Sequence, residues 1–93
     1  MTNSKTSMRT AKEFLDHNMP EEALAILDKL SADNDGEVLF LKGEIYYKLQ
    51  KWGDALNHFT RFLEQFPGDM KANSYCTMIR DILGFFHKDL YNP

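Results

Sequence analysis

Four acidic residues have the spacing of the ligands in a calcium-binding loop. They are Asp33, Asp35, Glu37 and Glu44. Their positions match the first, third, fifth and twelfth places of an EF-hand loop, where oxygen ligands hold Ca²⁺. That loop requires a glycine at its sixth place for a sharp turn, and Val38 stands there instead. We therefore predict a solvated acidic linker and no metal site.

The other residues that could do chemistry are scattered along the chain. His17, His58 and His87 share no spacing, and we interpret them as surface or boundary residues. Cys76 lies in an apolar stretch without a neighbouring base, which is typical of a buried small side chain rather than a nucleophile. The sequence has no phosphate-binding glycine loop, dinucleotide-binding turn or zinc-protease histidine pair. We therefore expect no catalytic residue, no cofactor and no enzyme activity.

Length and composition narrow the choice of partner. The chain has 93 residues, of which 43% are hydrophobic and 27% are charged, and this is typical of one globular domain. A net charge of −3 argues against nucleic acid or an anionic membrane surface as the main partner. The polar start predicts no signal peptide, and no stretch approaches the roughly twenty apolar residues that span a bilayer. Because a single cysteine forms no internal disulfide, we expect a cytoplasmic protein.

Helical periodicity extends over most of the chain and predicts five helices. We expect them at residues 7–18, 20–30, 37–49, 54–66 and 70–87. Pro20 favours the start of the second helix, because it lacks the N–H that a first helical turn leaves unbonded. Asp54 is expected in the first turn or at the N-cap of the fourth helix, and Asp69 at the N-cap of the fifth. Trp52 is predicted to pack in the turn before the fourth helix, with anchoring of a partner as the alternative.

The chain repeats itself at a shift of 32 residues. Under this shift Ala11 falls on Gly43, and Ala23 falls on Ala55. Two helices approach closely only where neither carries a bulky side chain, so we expect Gly43 to face Ala55 and Ala11 to face Ala23. A glycine inside a helix costs about 1 kcal/mol relative to alanine, and Gly43 therefore needs a packing reason of this kind.

The second copy of this repeat resembles the tetratricopeptide repeat, over a unit of 34 residues from 36 to 69. The matching positions are Leu39, Lys42, Gly43, Tyr46, Ala55, Phe59 and Pro67. Three residues depart from the family pattern: Leu39 replaces a tryptophan, Lys42 replaces a leucine, and Phe62 replaces a small residue. We expect Lys42 to lay its stem along apolar surface and extend its ammonium into water. The bulk of Phe62 predicts looser packing of the fourth helix.

The resemblance implies an all-α fold, a right-handed α-α superhelix of two helix hairpins plus a C-terminal capping helix. One domain would then contain a degenerate first repeat (about 4–35), a second repeat (36–69), a capping helix (70–88) and a tail (89–93). The residues implied to pack the helices together are Ala11, Ala23, Gly43, Tyr46, Ala55, Phe59 and Pro67. Residues 85–93 are also similar to the tail of some small bacterial proteins of this kind.

The resemblance also implies a protein or peptide partner, because this family holds peptides or helices on a concave face lined by the first helix of each pair. The residues predicted for that face are Met8, Lys12, Leu15, Phe40, Glu44, Tyr47, Ser74, Met78 and Asp81. Packing of these side chains against neighbouring helices is the alternative. The mixture of Lys12 with Glu44 and Asp81 predicts no clamp for a terminal carboxylate. It favours a partner segment with apolar side chains and one or two basic groups.

A second hypothesis is self-association into a homodimer. Two repeats and a cap are fewer than the roughly three repeats expected for comfortable stability. The fifth predicted helix also has more apolar residues than packing on one neighbour requires. They are Tyr75, Cys76, Met78, Ile79, Ile82, Leu83, Phe85 and Phe86. The excess either covers the fourth helix or forms a two-fold interface with another copy.

Overall fold

The structure is a computed structural model that describes residues 4–30 and 34–86 of the chain. These residues form five α-helices and no strand. The helices are α1 (Ser4–Asp16), α2 (Pro20–Asp28), α3 (Gly36–Lys48), α4 (Trp52–Gln65) and α5 (Met70–Phe86). The prediction of an all-α fold is confirmed. Asp33, His87 and the predicted tail at 89–93 lie outside the described residues.

Each helix packs against the next one along the chain. α1 lies against α2 and α3 lies against α4, and these two pairs meet through α2 and α3. α5 then packs on α4, while the contact between α1 and α3 is smaller. The chain is thus a row of helices in which one pair is followed by a second pair and then by a single helix.

Aspartates satisfy the free backbone N–H groups at the starts of α3 and α5. Asp35 and Asp69 each accept a hydrogen bond from the backbone N–H three residues ahead, at 3.2 and 2.9 Å. The predicted cap at Asp69 is therefore confirmed. α4 has no side-chain cap, and Asp54 stands in its first turn. Trp52 is the first residue of α4 and does not lie in the preceding turn as predicted, because the helical hydrogen bonds already begin at the carbonyl of residue 51.

The same turn joins the helices of both pairs. Asn18 and Gln50 each adopt a left-handed backbone conformation, with φ of 59° and 60°. In the first pair, the Met19 N–H donates to the Phe14 carbonyl (2.8 Å) and the Asn18 N–H to the Leu15 carbonyl (3.0 Å). These two bonds form a Schellman motif, and the same pattern recurs around Gln50 in the second pair. The repeat in the sequence therefore corresponds to a repeated backbone geometry.

α3 lies between two apolar clusters. The buried residues of the first cluster are Met8, Ala11, Ala23, Leu27, Val38, Leu41 and Ile45. Those of the second cluster are Ala55, Phe59, Ala72, Cys76 and Ile79. Val38, Leu41 and Ile45 of α3 belong to the first cluster, whereas Phe40 and Tyr47 of α3 pack on the second. This position explains why α3 carries apolar residues on more than one side.

Gly43 makes room for an aromatic ring. A Cβ atom at this position would lie 2.8 Å from two ring carbons of Phe59. Phe59 is fully buried, so its ring has no free space into which to move. The atoms nearest to such a Cβ belong to Phe59, one turn further along α4 than Ala55, and the expected pairing of Gly43 with Ala55 stays a prediction. Ala55 is fully buried in the second cluster, and Ala11 and Ala23 are fully buried in the first.

Two of the three departures from the family pattern, Lys42 in α3 and Phe62 in α4, have structural partners. The Lys42 ammonium lies 3.0 Å from the Asp28 carboxylate at the end of α2, and the Lys42 side chain is only 14% exposed. The low exposure agrees with a stem laid along apolar surface, and the last residue of α2 supplies an anion for the ammonium at the junction. The Phe62 ring is half-buried and contacts Phe40 and Phe66, with centroids 5.1 and 5.0 Å apart. It fills space between α3 and the end of α4.

Candidate partner-binding surface

One side of α3 faces α5, and three predicted surface residues meet there around Tyr75. The Phe40 and Tyr47 rings lie edge-on to the Tyr75 ring, at centroid distances of 6.1 and 5.1 Å. The Tyr75 hydroxyl donates a hydrogen bond to the Glu44 carboxylate at 3.0 Å. Beneath it the fully buried Phe59 ring stacks on Tyr75 at 4.5 Å. The sequence identified Phe40, Glu44 and Tyr47 as neighbours, and Tyr75 is the residue that joins them.

Lys71 brings a positive charge to the same place. Its ammonium lies 3.4 Å from the Glu44 carboxylate and 5.5 Å from the centre of the Phe40 ring. Burial, together with the nearby Glu44 charge and its hydrogen bond, raises the pKa of Tyr75 to about 12. The phenol therefore stays protonated at neutral pH and remains a hydrogen-bond donor to Glu44.

Tyr47 connects this arrangement to the second half of α5. Its hydroxyl lies 4.0 Å from the sulfur of Met78, which is 43% exposed. The Trp52 ring packs edge-on against Tyr47 with centroids 5.2 Å apart, so the predicted packing role of Trp52 is confirmed. We call the set of Phe40, Glu44, Tyr47, Lys71, Tyr75 and Met78 the α3–α5 face.

A groove of about 350 Å³ lies beside this face, where α1 approaches the starts of α3 and α5. Its apolar lining comes from Met8 of α1, Phe40 of α3 and Phe62 of α4. Its charged lining comes from Lys12, Glu37, Asp69 and Lys71. Met8 and Lys12 were both predicted for the concave face on the spacing of α1. The structure places both beside Phe40.

Three predicted surface residues, Leu15, Ser74 and Asp81, lie outside the α3–α5 face and the groove. Leu15 is half-buried and packs on the first apolar cluster. Asp81 is exposed on α5 and makes no hydrogen bond or ion pair with any residue in the described part of the chain. The residues of α5 that do face α3 are Lys71, Tyr75 and Met78, whose spacing of four and three is that of one helical stripe. The prediction for α5 did not include Lys71 and Tyr75. Their helical spacing from Met78 could have identified them.

The residues predicted to pack the repeat divide into buried and exposed ones. Tyr46 is half-buried beside the His58 ring, with centroids 5.1 Å apart. Burial, and then the carboxylates of Asp28 and Asp54, raises the pKa of Tyr46. Pro67 is exposed, so its contribution is to end α4 and not to fill a core.

The cysteine, the described histidines and two of the acidic residues noted in the sequence are buried or make contacts within the fold. Cys76 is 1% exposed, and burial raises the pKa of its thiol. The Nδ1 atoms of His17 and His58 lie 2.7 and 2.8 Å from the carbonyl oxygens four residues before them. Of the four acidic residues with calcium-loop spacing, Asp35 caps α3, and Glu44 within α3 accepts a hydrogen bond from Tyr75. Across residues 4–30 and 34–86, no three His, Cys, Asp or Glu side chains are grouped to hold a metal ion.

The two ends of the row turn polar side chains outward. Thr6, Arg9 and Glu13 of α1, and His17 directly after it, take the positions that Val38, Leu41, Ile45 and Leu49 take in the second pair. The exposed residues in the middle of α5 are polar apart from Met78; they are Asn73, Ser74, Thr77, Met78, Arg80 and Asp81. The buried apolar residues of α5 instead belong to the second cluster, which α4 shares. Of the residues predicted for an interface on this helix, the described ones mostly cover α4.

No helix in the described part of the chain combines the length and apolar character needed to cross a bilayer. The family model described as tetratricopeptide repeat matches residues 36–69, which comprise α3, α4 and the turn that follows. No curated protein and no solved structure matches the chain.

Proposed function

Because residues 36–69 belong to the tetratricopeptide repeat family, we propose that the chain is a non-catalytic protein–protein interaction module. It binds a peptide or helix of its partner on the surface that α1, α3 and α5 share, and it acts as an adaptor. The observation that carries this proposal is the α3–α5 face, where aromatic rings and a methionine stay half-exposed around a paired Glu44 and Lys71. Half-exposed aromatic groups of this kind are typical anchors in protein interfaces.

We propose the domain organisation on the same grounds. The first pair, α1 and α2, is a degenerate repeat, since it ends its first helix with the same Schellman turn as the second pair. α5 is a capping helix, since its exposed central residues are polar apart from Met78. A single, buried cysteine is compatible with a reducing cytoplasm, where we place the protein.

The test of the proposal is whether peptide binding depends on the α3–α5 face. Peptides are selected on the immobilised protein from a phage-displayed library of random dodecapeptides, and their affinities are measured by fluorescence anisotropy. Tyr47→Ala and Glu44→Lys should each weaken binding at least tenfold, because they remove an anchor and reverse a central charge. Asn57→Ala and Glu64→Lys on the exposed side of α4 are matched controls and should leave binding unchanged.

Circular dichroism at the temperature of the binding measurement shows whether a variant that binds peptide more weakly is still folded. Equal binding by the α3–α5 variants and the α4 controls, all of them folded, would contradict the proposal.

The alternative function is a structural subunit that forms a homodimer through α5. The polar residues on the exposed side of α5 favour the peptide-binding proposal over this one, as far as the described residues extend. Light scattering at low and high protein concentration separates the two. A mass of one chain throughout removes the dimer, whereas a dimer mass that Thr77→Arg on α5 abolishes would replace the peptide-binding proposal.

A further inference from the structure

The groove beside Phe40 has an apolar floor that the family pattern does not require. Phe62 stands where a small residue is usual, and its ring meets Phe40 edge-on at 5.1 Å. With Met8, which is 6% exposed, these two rings line a space of about 350 Å³. That volume is sufficient for one large side chain of a bound segment.

Two of the four charged residues in the groove are already paired within the protein. The Asp69 carboxylate accepts the hydrogen bond from the Ala72 N–H that caps α5. The Lys71 ammonium is held by Glu44 at 3.4 Å and lies over the Phe40 ring. Both charges therefore already have a partner of their own within the chain.

The other two charged residues stand on neighbouring helices. Lys12 on α1 and Glu37 at the start of α3 are both exposed, and neither has a hydrogen bond or ion pair with another residue of 4–30 or 34–86. The lining of the groove thus contains one positive and one negative group that do not form an ion pair with each other. Glu44, which led to the expectation of a basic partner, is neutralised by Lys71.

We infer that the groove takes a peptide segment with one large apolar residue, flanked by an acidic residue at Lys12 and a basic residue at Glu37. The apolar residue sits between Met8, Phe40 and Phe62. Because the two charges differ in sign, their order along the segment sets the direction in which the segment lies in the groove. This inference rests on the proposed function, whose α3–α5 face continues into the groove through Phe40 and Lys71.

The experiment is a second library selection, carried out in parallel on the wild-type protein and on the Lys12→Glu/Glu37→Lys variant. Both residues are exposed, so the variant should keep the fold. Peptides selected by the wild-type protein should carry an apolar residue between an acidic and a basic one, and the variant should select the opposite order. A peptide from the wild-type selection should bind the variant about tenfold more weakly. The same charge order from both proteins, or no charge preference, would overturn the inference.

The apolar floor is tested on the selected peptide itself. Phe62→Ala restores a small residue at this position and should weaken binding at least tenfold. Phe66→Ala, which truncates the neighbouring ring outside the groove, should change binding less than threefold. Peptides that lose affinity with Tyr47→Ala but not with Phe62→Ala would overturn the groove and leave the proposed function standing. Peptides insensitive to both substitutions would overturn both.

Discussion

The α1–α2 pair and the α3–α4 pair cross with different combinations of side chains at equivalent positions. In the first pair Ala11 and Leu27 are both fully buried in one cluster. In the second pair the equivalent residues are Gly43 and Phe59, and a Cβ atom on Gly43 would lie 2.8 Å from the Phe59 ring. The smaller residue in α3 therefore accompanies the larger residue in α4.

This difference shows that the close contact depends on the sum of two side chains rather than on a glycine as such. Protein interiors are packed densely enough that one methyl group must be matched by space elsewhere. Each pair of helices should then tolerate its own combination of two side chains, but not one residue from each combination. The first pair could not be recognised from its glycine, since it has none, although its backbone turn is the same.

The largest expected effect comes from Gly43→Ala, which gives α3 the residue of the first pair while α4 keeps its own. Alanine favours the helix by about 1 kcal/mol, but overpacking against a buried ring costs about 1–3 kcal/mol or more. We expect the free energy of unfolding to fall by about 2 kcal/mol, measured by urea denaturation. Gly53→Ala in α4 is the matched control: no atom lies within 4 Å of its Cβ position, so stability should rise or stay unchanged.

The double substitution Gly43→Ala/Phe59→Leu sharpens this test, because it transfers the complete combination of the first pair. We expect it to be more stable than Gly43→Ala with Phe59 retained, since leucine leaves room for the methyl group. A double variant less stable than either single variant would show that the two residues do not share the space.

The next effect concerns α5, a neighbour that only the second pair has. Tyr75→Phe removes the hydrogen bond to Glu44 and should lower stability by about 1–2 kcal/mol at neutral pH. The folded-state pKa of Tyr75 is raised to about 12 from an ordinary value of 10.0, so the wild-type advantage is complete below pH 10. It should disappear as the pH rises from 10 towards 12, because the unfolded tyrosine ionises first.

The measurement is the difference in urea stability between wild type and Tyr75→Phe at several pH values. The difference isolates Tyr75, since the other tyrosines titrate in both proteins. A gap that stays constant from pH 8 to pH 12 would contradict the raised pKa of Tyr75 in the folded protein.

A third comparison sets the junction between the two pairs against the junction between α4 and α5. Asp28→Asn removes the anion beside the Lys42 ammonium, whose side chain is only 14% exposed, and should lower stability by about 1 kcal/mol. Lys42→Leu restores the leucine of the family pattern and should be neutral or stabilising, because an ion pair with a half-exposed carboxylate contributes little beyond an apolar contact. At the junction between α4 and α5, the side chains of Thr60 and Cys76 form a hydrogen bond. Thr60→Val removes this bond and should change stability by less than about 0.5 kcal/mol.

Thermal or urea denaturation at low and high salt checks this comparison. Lys48→Leu, an exposed residue on the same helix, is the control for a change in net charge. If Lys42→Leu were as destabilising as Asp28→Asn, the ammonium would have a packing role that leucine cannot replace.

The sequence predicted the helices and the repeat because periodicity, prolines and capping aspartates are local signals. It did not predict the direction in which α5 faces α3. Successive residues of a helix point about 100° apart. A predicted stripe of residues that is shifted around the helix by one position therefore faces a different direction, although it can share a residue with the correct stripe. The predicted stripe through Met78 and Asp81 therefore included Met78 and missed Tyr75. The orientation of α5 follows from the stacking of Tyr75 on Phe59, a contact between residues far apart in the chain.

The smallest expected effect separates the two otherwise identical turns. Gln50 and Asn18 both have φ near 60°, a conformation that is unfavourable for most side chains but tolerated by asparagine. Gln50→Gly should therefore stabilise the protein by about 1 kcal/mol, and Asn18→Gly by only a few tenths, since asparagine already relieves most of the strain. Urea denaturation of both variants measures the difference, with Gln65→Gly near the end of α4 as a control that should destabilise. Equal gains in stability at the two turns would mean that the side chain at this position does not determine the strain of the left-handed conformation. The Schellman turn of the first pair would then be stabilised by packing alone.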